Sequence, residues 1–194
     1  MWVRDINDPT SDVGVEVAFD MVVQFDLDDG TSVRYRFVGK IDGVHTEPKF
    51  DNRVVLQENK TTARIDDAWK NSFQMAHQPT GYMLALSLWC GLHVDKFYLL
   101  GLQLPLPRTI SEGIYLNRHS REPWMMTHWF NWFYHTATLI SQYQDDPINA
   151  PRYTHSCNRY FRSCSFLPFC TADDAEKLQI MDEMEIDKWS PLDD

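Results

Sequence analysis

The chain has 194 residues and a mass of 22.8 kDa, with 43% hydrophobic and 13% aromatic residues. That length and composition suit one domain with a real core and exclude a disordered chain. The net charge of −10 argues against a surface that coats DNA nonspecifically. No apolar run approaches the roughly 18 residues of a membrane helix.

The charge is unevenly placed. From Asp173 to Asp194 there are nine acids and two bases, a net of −7, so residues 173–194 read as an acidic tail. Such a tail does not exclude a local basic groove elsewhere. The opening MWVRDINDPTSD lacks the apolar stretch of a signal peptide, which predicts an intracellular protein. With no secretory signal, disulfides are not expected among the four cysteines.

In chain order, GVEVAFDMVVQFD (14–26) reads as a strand, LDDGTS as a turn, and SVRYRFVGKIDGV (32–44) as a second strand pairing with the first. HTEPKFDNR is a loop, and residues 53–62 form a third strand, giving a three-stranded antiparallel meander. Residues 66–92 then take helical spacing at Trp69, Phe73, Tyr82, Leu86 and Trp89, with Pro79 kinking the stretch or starting a second helix. Residues 94–106 read as a fourth strand and GIYLNRHS as a fifth. An aromatic helix over 123–143 begins at Pro123, and its Trp124, Trp129, Phe130, Trp132 and Phe133 are expected in the core. A cysteine-bearing loop from about 151 and the acidic, helical tail follow. The order β-β-β-α-β-β-α predicts one α/β domain with a mixed sheet.

The third strand, VVLQENKTT, places Glu58 and Lys60 on one face with Asn59 opposite. Alone, an E-x-K pair at a strand end is an ordinary surface ion pair. Its neighbourhood changes that. In FVGKIDGV, Asp42 is expected where the second strand runs out into a loop, bracketed by Gly39 and Gly43. Pairing of the second and third strands brings Asp42 beside Glu58 at one end of the sheet. Two such carboxylates repel unless a cation lies between them, and hard divalent ions prefer oxygen ligands. The Asn59 carbonyl can add an oxygen, and Lys60 can polarise a water or a phosphate oxygen. This is equipment for phosphodiester hydrolysis.

Asp42, then Glu58-Asn59-Lys60 on an apolar strand, resembles the signature of the PD-(D/E)xK nucleases. Gln78-Pro-Thr-Gly-Tyr82 resembles the Q-x-x-x-Y motif of the RecB-like exonuclease branch, and GKIDGV, ENKTT and QPTGY stand in the family's order. Cys157-x6-Cys164-x5-Cys170 is similar to the cysteine segment of iron–sulfur members, among them CRISPR-associated, helicase-linked and phage-borne proteins. The resemblance spans roughly residues 14–172, and it implies a restriction-endonuclease-like core with a mixed sheet flanked by helices.

It further implies Asp42 and Glu58, with Asn59, as ligands of Mg²⁺ or Mn²⁺, Lys60 as the group orienting water, and Gln78 and Tyr82 as its supports. Thr61 or Thr62 would contact the DNA backbone. Cys157, Cys164 and Cys170 would hold a [4Fe-4S] cluster whose fourth ligand is not evident. The implied activity is a metal-dependent deoxyribonuclease acting from DNA ends in recombination, repair or phage DNA processing. It would work in the cytoplasm, or in a host's if phage-encoded, with a helicase or recombination partner and no membrane.

Two departures stand out. Members usually carry a helical segment before the first strand that completes the metal site, and iron–sulfur members draw a fourth cysteine from it; neither is evident here. The expectation is a chain shortened at its N-terminus. Cys90 is expected as a buried thiol, or as the fourth ligand if its helix reaches the C-terminal loop. A Cys₃His zinc site would need His155.

Arg118, His119 and Arg121, with Arg152, Arg159 and Arg162, are candidates for a basic path along a DNA strand. Aromatics of the 123–143 helix could stack on unpaired bases, and its His128 and His135 are expected in the core or on the surface. The alternatives are a non-catalytic relative that binds DNA or a protein, and a zinc-dependent structural adaptor.

Overall fold

The computed structural model describes residues 13–27, 30–47, 53–91, 93–105, 109–152, 157–159 and 162–185. The described residues form two units, one reaching to Tyr134 and the other starting at His135.

The first unit holds an α/β arrangement around a five-stranded mixed sheet. β1 (Val13–Asp26) and β2 (Ser32–Glu47) pair antiparallel along their length. Leu27 N–H donates to Thr31 O at 2.7 Å and Gly30 takes a φ of 82°, closing the hairpin in a conformation that suits glycine. β3 (Arg53–Thr62) completes the predicted antiparallel meander. The second strand does not end at residue 44 as its sequence suggests. Thr46 and Glu47 pair with Val54 and Arg53, so β2 runs on and Asp42 lies within it.

β3 also pairs parallel with β4 (Lys96–Gln103), which needs a crossover connection. That connection carries α1 (Asp67–Asn71), capped by Asp66 accepting from Trp69 N–H, and α2 (His77–Cys90), with Pro79 in its first turn. Gly91, at φ 63°, ends α2. β5 (Ile114–Ser120) lies antiparallel to β4, giving the order β1-β2-β3-β4-β5.

Phe19, Ile41, Val44, Leu56, Met83, Leu86, Phe97 and Leu99 form the buried centre. α3 (Pro123–Tyr143) lays Trp129 and Phe133 against Phe37. Trp129 is 7% exposed, whereas Trp124 and Trp132 are 60% and 43% exposed and Phe130 is also exposed. Five aromatics within ten residues surround a helix, and a helix packed on one sheet can bury only one stripe of them.

In the second unit a two-residue ribbon pairs β6 (Asn158–Arg159) with β7 (Arg162–Ser163). α4 (Leu167–Thr171) and α5 (Asp174–Glu183) follow, the latter capped by Asp173 accepting from Glu176 N–H. No helix among the described residues is long and apolar enough to cross a membrane.

Candidate functional site

The site forms where β2 and β3 part. Their ladder ends at Gly43 opposite Gln57, so Asp42 and Glu58 occupy the next positions. From Leu56 onward β3 pairs with β4, with Glu58 beside Leu99 and Lys60 beside Gly101. Asp42 replaces a ladder bond with a side-chain one: its Oδ2 accepts the Asn59 backbone N–H at 2.6 Å.

Asp42 is also skipped on its other side. The β1–β2 register passes from Val15–Gly43 to Val17–Ile41, leaving out Glu16 and Asp42. Glu16 has a φ of 52°, a left-handed conformation that costs a non-glycine residue about 1–3 kcal/mol. Ile41 and Val44 both join the same buried cluster, although residues three apart on a regular strand face opposite ways. The β1–β2 register is the same on both sides of the gap, so the irregularity is local to Glu16 and Asp42. Sequence reading missed Glu16; its exposed position in GVEVAF gives no signal of a backbone reversal.

Glu58 is 0% exposed. Its Oε1 is in ion-pair contact with Lys60 Nζ, but neither carboxylate oxygen accepts a well-formed hydrogen bond. Burial pushes its pKa up; Lys60 opposes the shift and the Asp42 charge adds to it. Lys60 Nζ donates to Gln78 Oε1 at 2.9 Å, and Gln78 Nε2 donates to Tyr82 Oη at 3.0 Å. Gln78 and Tyr82 lie one turn apart on α2, on the same face. Burial also raises the Tyr82 phenol, against the Gln78 hydrogen bond that lowers it.

Asp42, Glu58, Lys60, Gln78 and Tyr82 thus come together from two strands and one helix. The buried Glu58 carboxylate, whose Oε2 has no partner, fits a hard divalent cation with Asp42 alongside. Asn59 contributes its N–H to Asp42, and its side-chain Oδ1 accepts from Gln57 Nε2 at 2.8 Å. Among the described residues no three His, Cys, Asp or Glu are grouped to hold a metal, so the protein offers two carboxylates here.

Other predicted residues go elsewhere. Arg121, expected on a surface path along DNA, is instead buried. It is 4% exposed, donating from Nε to Thr80 Oγ1 at 2.8 Å and from Nη2 to Phe73 O at 2.8 Å, with its guanidinium over the Phe97 ring. His119 stacks on Phe97 with a buried, unpartnered Nε2. Arg118 is exposed on β5. Thr62 uses its hydroxyl on the backbone of Arg64, and Thr61 is exposed.

Arg152 is exposed and donates to Cys170 O at 2.8 Å. Arg159 and Arg162 sit opposite each other in the β6–β7 ribbon; their side chains, that of Cys90, and His155 lie outside the described residues. Cys157, Cys164 and Cys170 are free thiols, and among the described residues they form no group of three metal ligands. Compared with known proteins, the chain matches no family model and no curated protein.

Proposed function

We propose that the chain is a metal-dependent deoxyribonuclease of the PD-(D/E)xK, RecB-like type that hydrolyses DNA from its ends. The supporting observation is the run of contacts from Asp42 through Asn59 and from Glu58 through Lys60 and Gln78 to Tyr82. The five-stranded mixed sheet flanked by helices is compatible with the restriction-endonuclease-like core that the resemblance implies.

Asp42 and Glu58 would hold the divalent ion. A bound ion of this kind supplies charge for the developing phosphorane and lowers the pKa of its water. Glu58 and Gln78 grip Lys60 from two sides, which fixes where its ammonium can meet a water or a phosphate oxygen. Tyr82 accepts from Gln78 and so orients the amide that holds the lysine. Recombination, repair or phage DNA processing is the setting for such an activity.

Incubation with linear single- and double-stranded DNA and Mn²⁺ tests this. The wild-type protein is expected to degrade DNA and folded Lys60→Ala to leave it intact. Absence of degradation by wild-type protein with both Mg²⁺ and Mn²⁺ would overturn it in favour of a non-catalytic binding relative.

A further inference from the structure

The first turn of α2 has two working faces. Gln78 and Tyr82 turn toward Lys60, whereas His77 and Thr80, one turn apart, line a separate cavity of ≈ 110 Å³. Its remaining walls are Arg121, His128 and Trp129, with Met75 and Met125 between them.

Every polar side chain in that wall can donate a hydrogen bond, and none is a carboxylate. Three features concern unmet positive charge or unmet donors. Arg121 is buried, and its partners are neutral: Thr80 Oγ1, the carbonyls of Phe73 and Ser120, and the Phe97 ring. A buried cation with no counter-ion is costly. Trp129, 93% buried, keeps an indole N–H with no acceptor. α2, 14 residues long, starts at Ala76 with no side-chain cap and no acid in its first turn, so its positive end is unopposed by side chains. The larger cavity beside Arg121, of ≈ 490 Å³, includes Asp95 and Glu122 in its wall and lacks this one-sided character.

We propose that the smaller cavity binds a phosphate group and, resting on the nuclease reading, that this phosphate belongs to the DNA strand being cut. A water takes about 30 Å³ of the liquid, so the space suits a group of a few heavy atoms rather than a whole nucleotide. His77 and Gln78 are chain neighbours, with Cα atoms about 3.8 Å apart. The cavity and the Lys60 contact thus share the first turn of α2, and a strand lying along that turn is the ligand proposed to reach both.

The test is made in EDTA, where binding is read without cleavage. Tryptophan indoles are labelled with ¹⁵N, and the Trp129 signal is assigned by its loss in Trp129→Phe. Inorganic phosphate is expected to shift that signal saturably, with chloride at equal ionic strength leaving it in place. Oligothymidylate is expected to shift the same signal. Trp129→Phe, which removes the indole N–H together with part of the buried ring, and His128→Ala, at an exposed position that leaves the packing alone, are each expected to weaken oligothymidylate binding about tenfold, the scale of one hydrogen bond to a charged group.

A signal that ignores phosphate, or follows chloride equally, overturns the site. Response to phosphate but not to oligothymidylate overturns the assignment to the strand and leaves a free-anion site. DNA degradation in Mn²⁺ without a phosphate response sinks this proposal alone. A phosphate response without degradation sinks the nuclease reading, and with it the strand being cut, and leaves the phosphate site standing.

Discussion

Asn59 gives its backbone N–H to Asp42 Oδ2 at 2.6 Å, one position past the last pair that joins β2 to β3. Where regular strands would exchange backbone bonds, a carboxylate stands in, directly beside the buried Glu58. The first prediction follows from the repulsion this creates.

Mn²⁺ is expected to stabilise the wild-type protein. At one hundred times its dissociation constant, a ligand specific for the folded state adds about 2.7 kcal/mol. For a chain of this size that raises Tm by roughly 5–10 °C. Asp42→Asn and Glu58→Gln are expected to abolish the response. Without metal, Glu58→Gln is expected to be more stable than wild type by about 1 kcal/mol, because a buried charge becomes a neutral amide. Thermal melts with EDTA and with Mn²⁺ check both statements.

Tyr82→Phe removes the acceptor of Gln78 Nε2 and leaves the ring packed against Phe19. Losing one positioning hydrogen bond of about 1 kcal/mol predicts a roughly fivefold slower degradation of DNA. Stability in urea is expected to change by less than about 1 kcal/mol. Equal rates for the two proteins would show that Tyr82 does not act through Gln78.

Arg121 and Arg118 stand three residues apart and should respond oppositely to lysine. Arg121→Lys cannot reproduce a fork that reaches Thr80, Phe73 and Ser120 at once, and is expected to cost about 2–4 kcal/mol. Exposed Arg118→Lys is expected to stay within about 0.5 kcal/mol. Urea midpoints of the two variants measure the contrast.

His119 carries an acid sensitivity. Burial first, and then the Arg121 charge, lower its pKa below the ordinary imidazole value of about 6.5. The unfolded imidazole therefore takes up a proton before the folded one. Stability from the neutral ring is present above pH 6.5 and declines as pH falls through the range between the unfolded and folded values. His119→Phe, which keeps a ring on Phe97, is expected to lose less stability than wild type between pH 7.5 and 5.5. His45, lowered by burial, acts in the same direction, and Glu58, raised, acts against it. Both are common to the two proteins and cancel in the comparison.

The sequence carried the strands and the aromatic helix well. The third strand and the 123–143 helix appear with the predicted bounds, because Pro123 and the turn residues around 52 mark their starts and the change of apolar period marks their ends. The end of β2 was not legible, since His45, Thr46 and Glu47 look like loop residues until Val54 and Arg53 pair with them. The five site residues were legible as motifs. The device that sets Asp42 apart was not, because it depends on Glu16 adopting a left-handed backbone with no glycine to announce it. Arg121 looked like a surface cation for the same kind of reason. Its burial is set by Thr80 and Phe73, 41 and 48 positions away.

Gly81 sits where α2 meets α3. A Cβ there would stand 2.6 Å from the Trp129 ring, so that ring packs directly on the backbone of α2. Such contact leaves little room for sliding. A DNA strand that pushed on the start of α2 would move both segments together, like a single lever, and loops rather than this joint would have to supply any hinge.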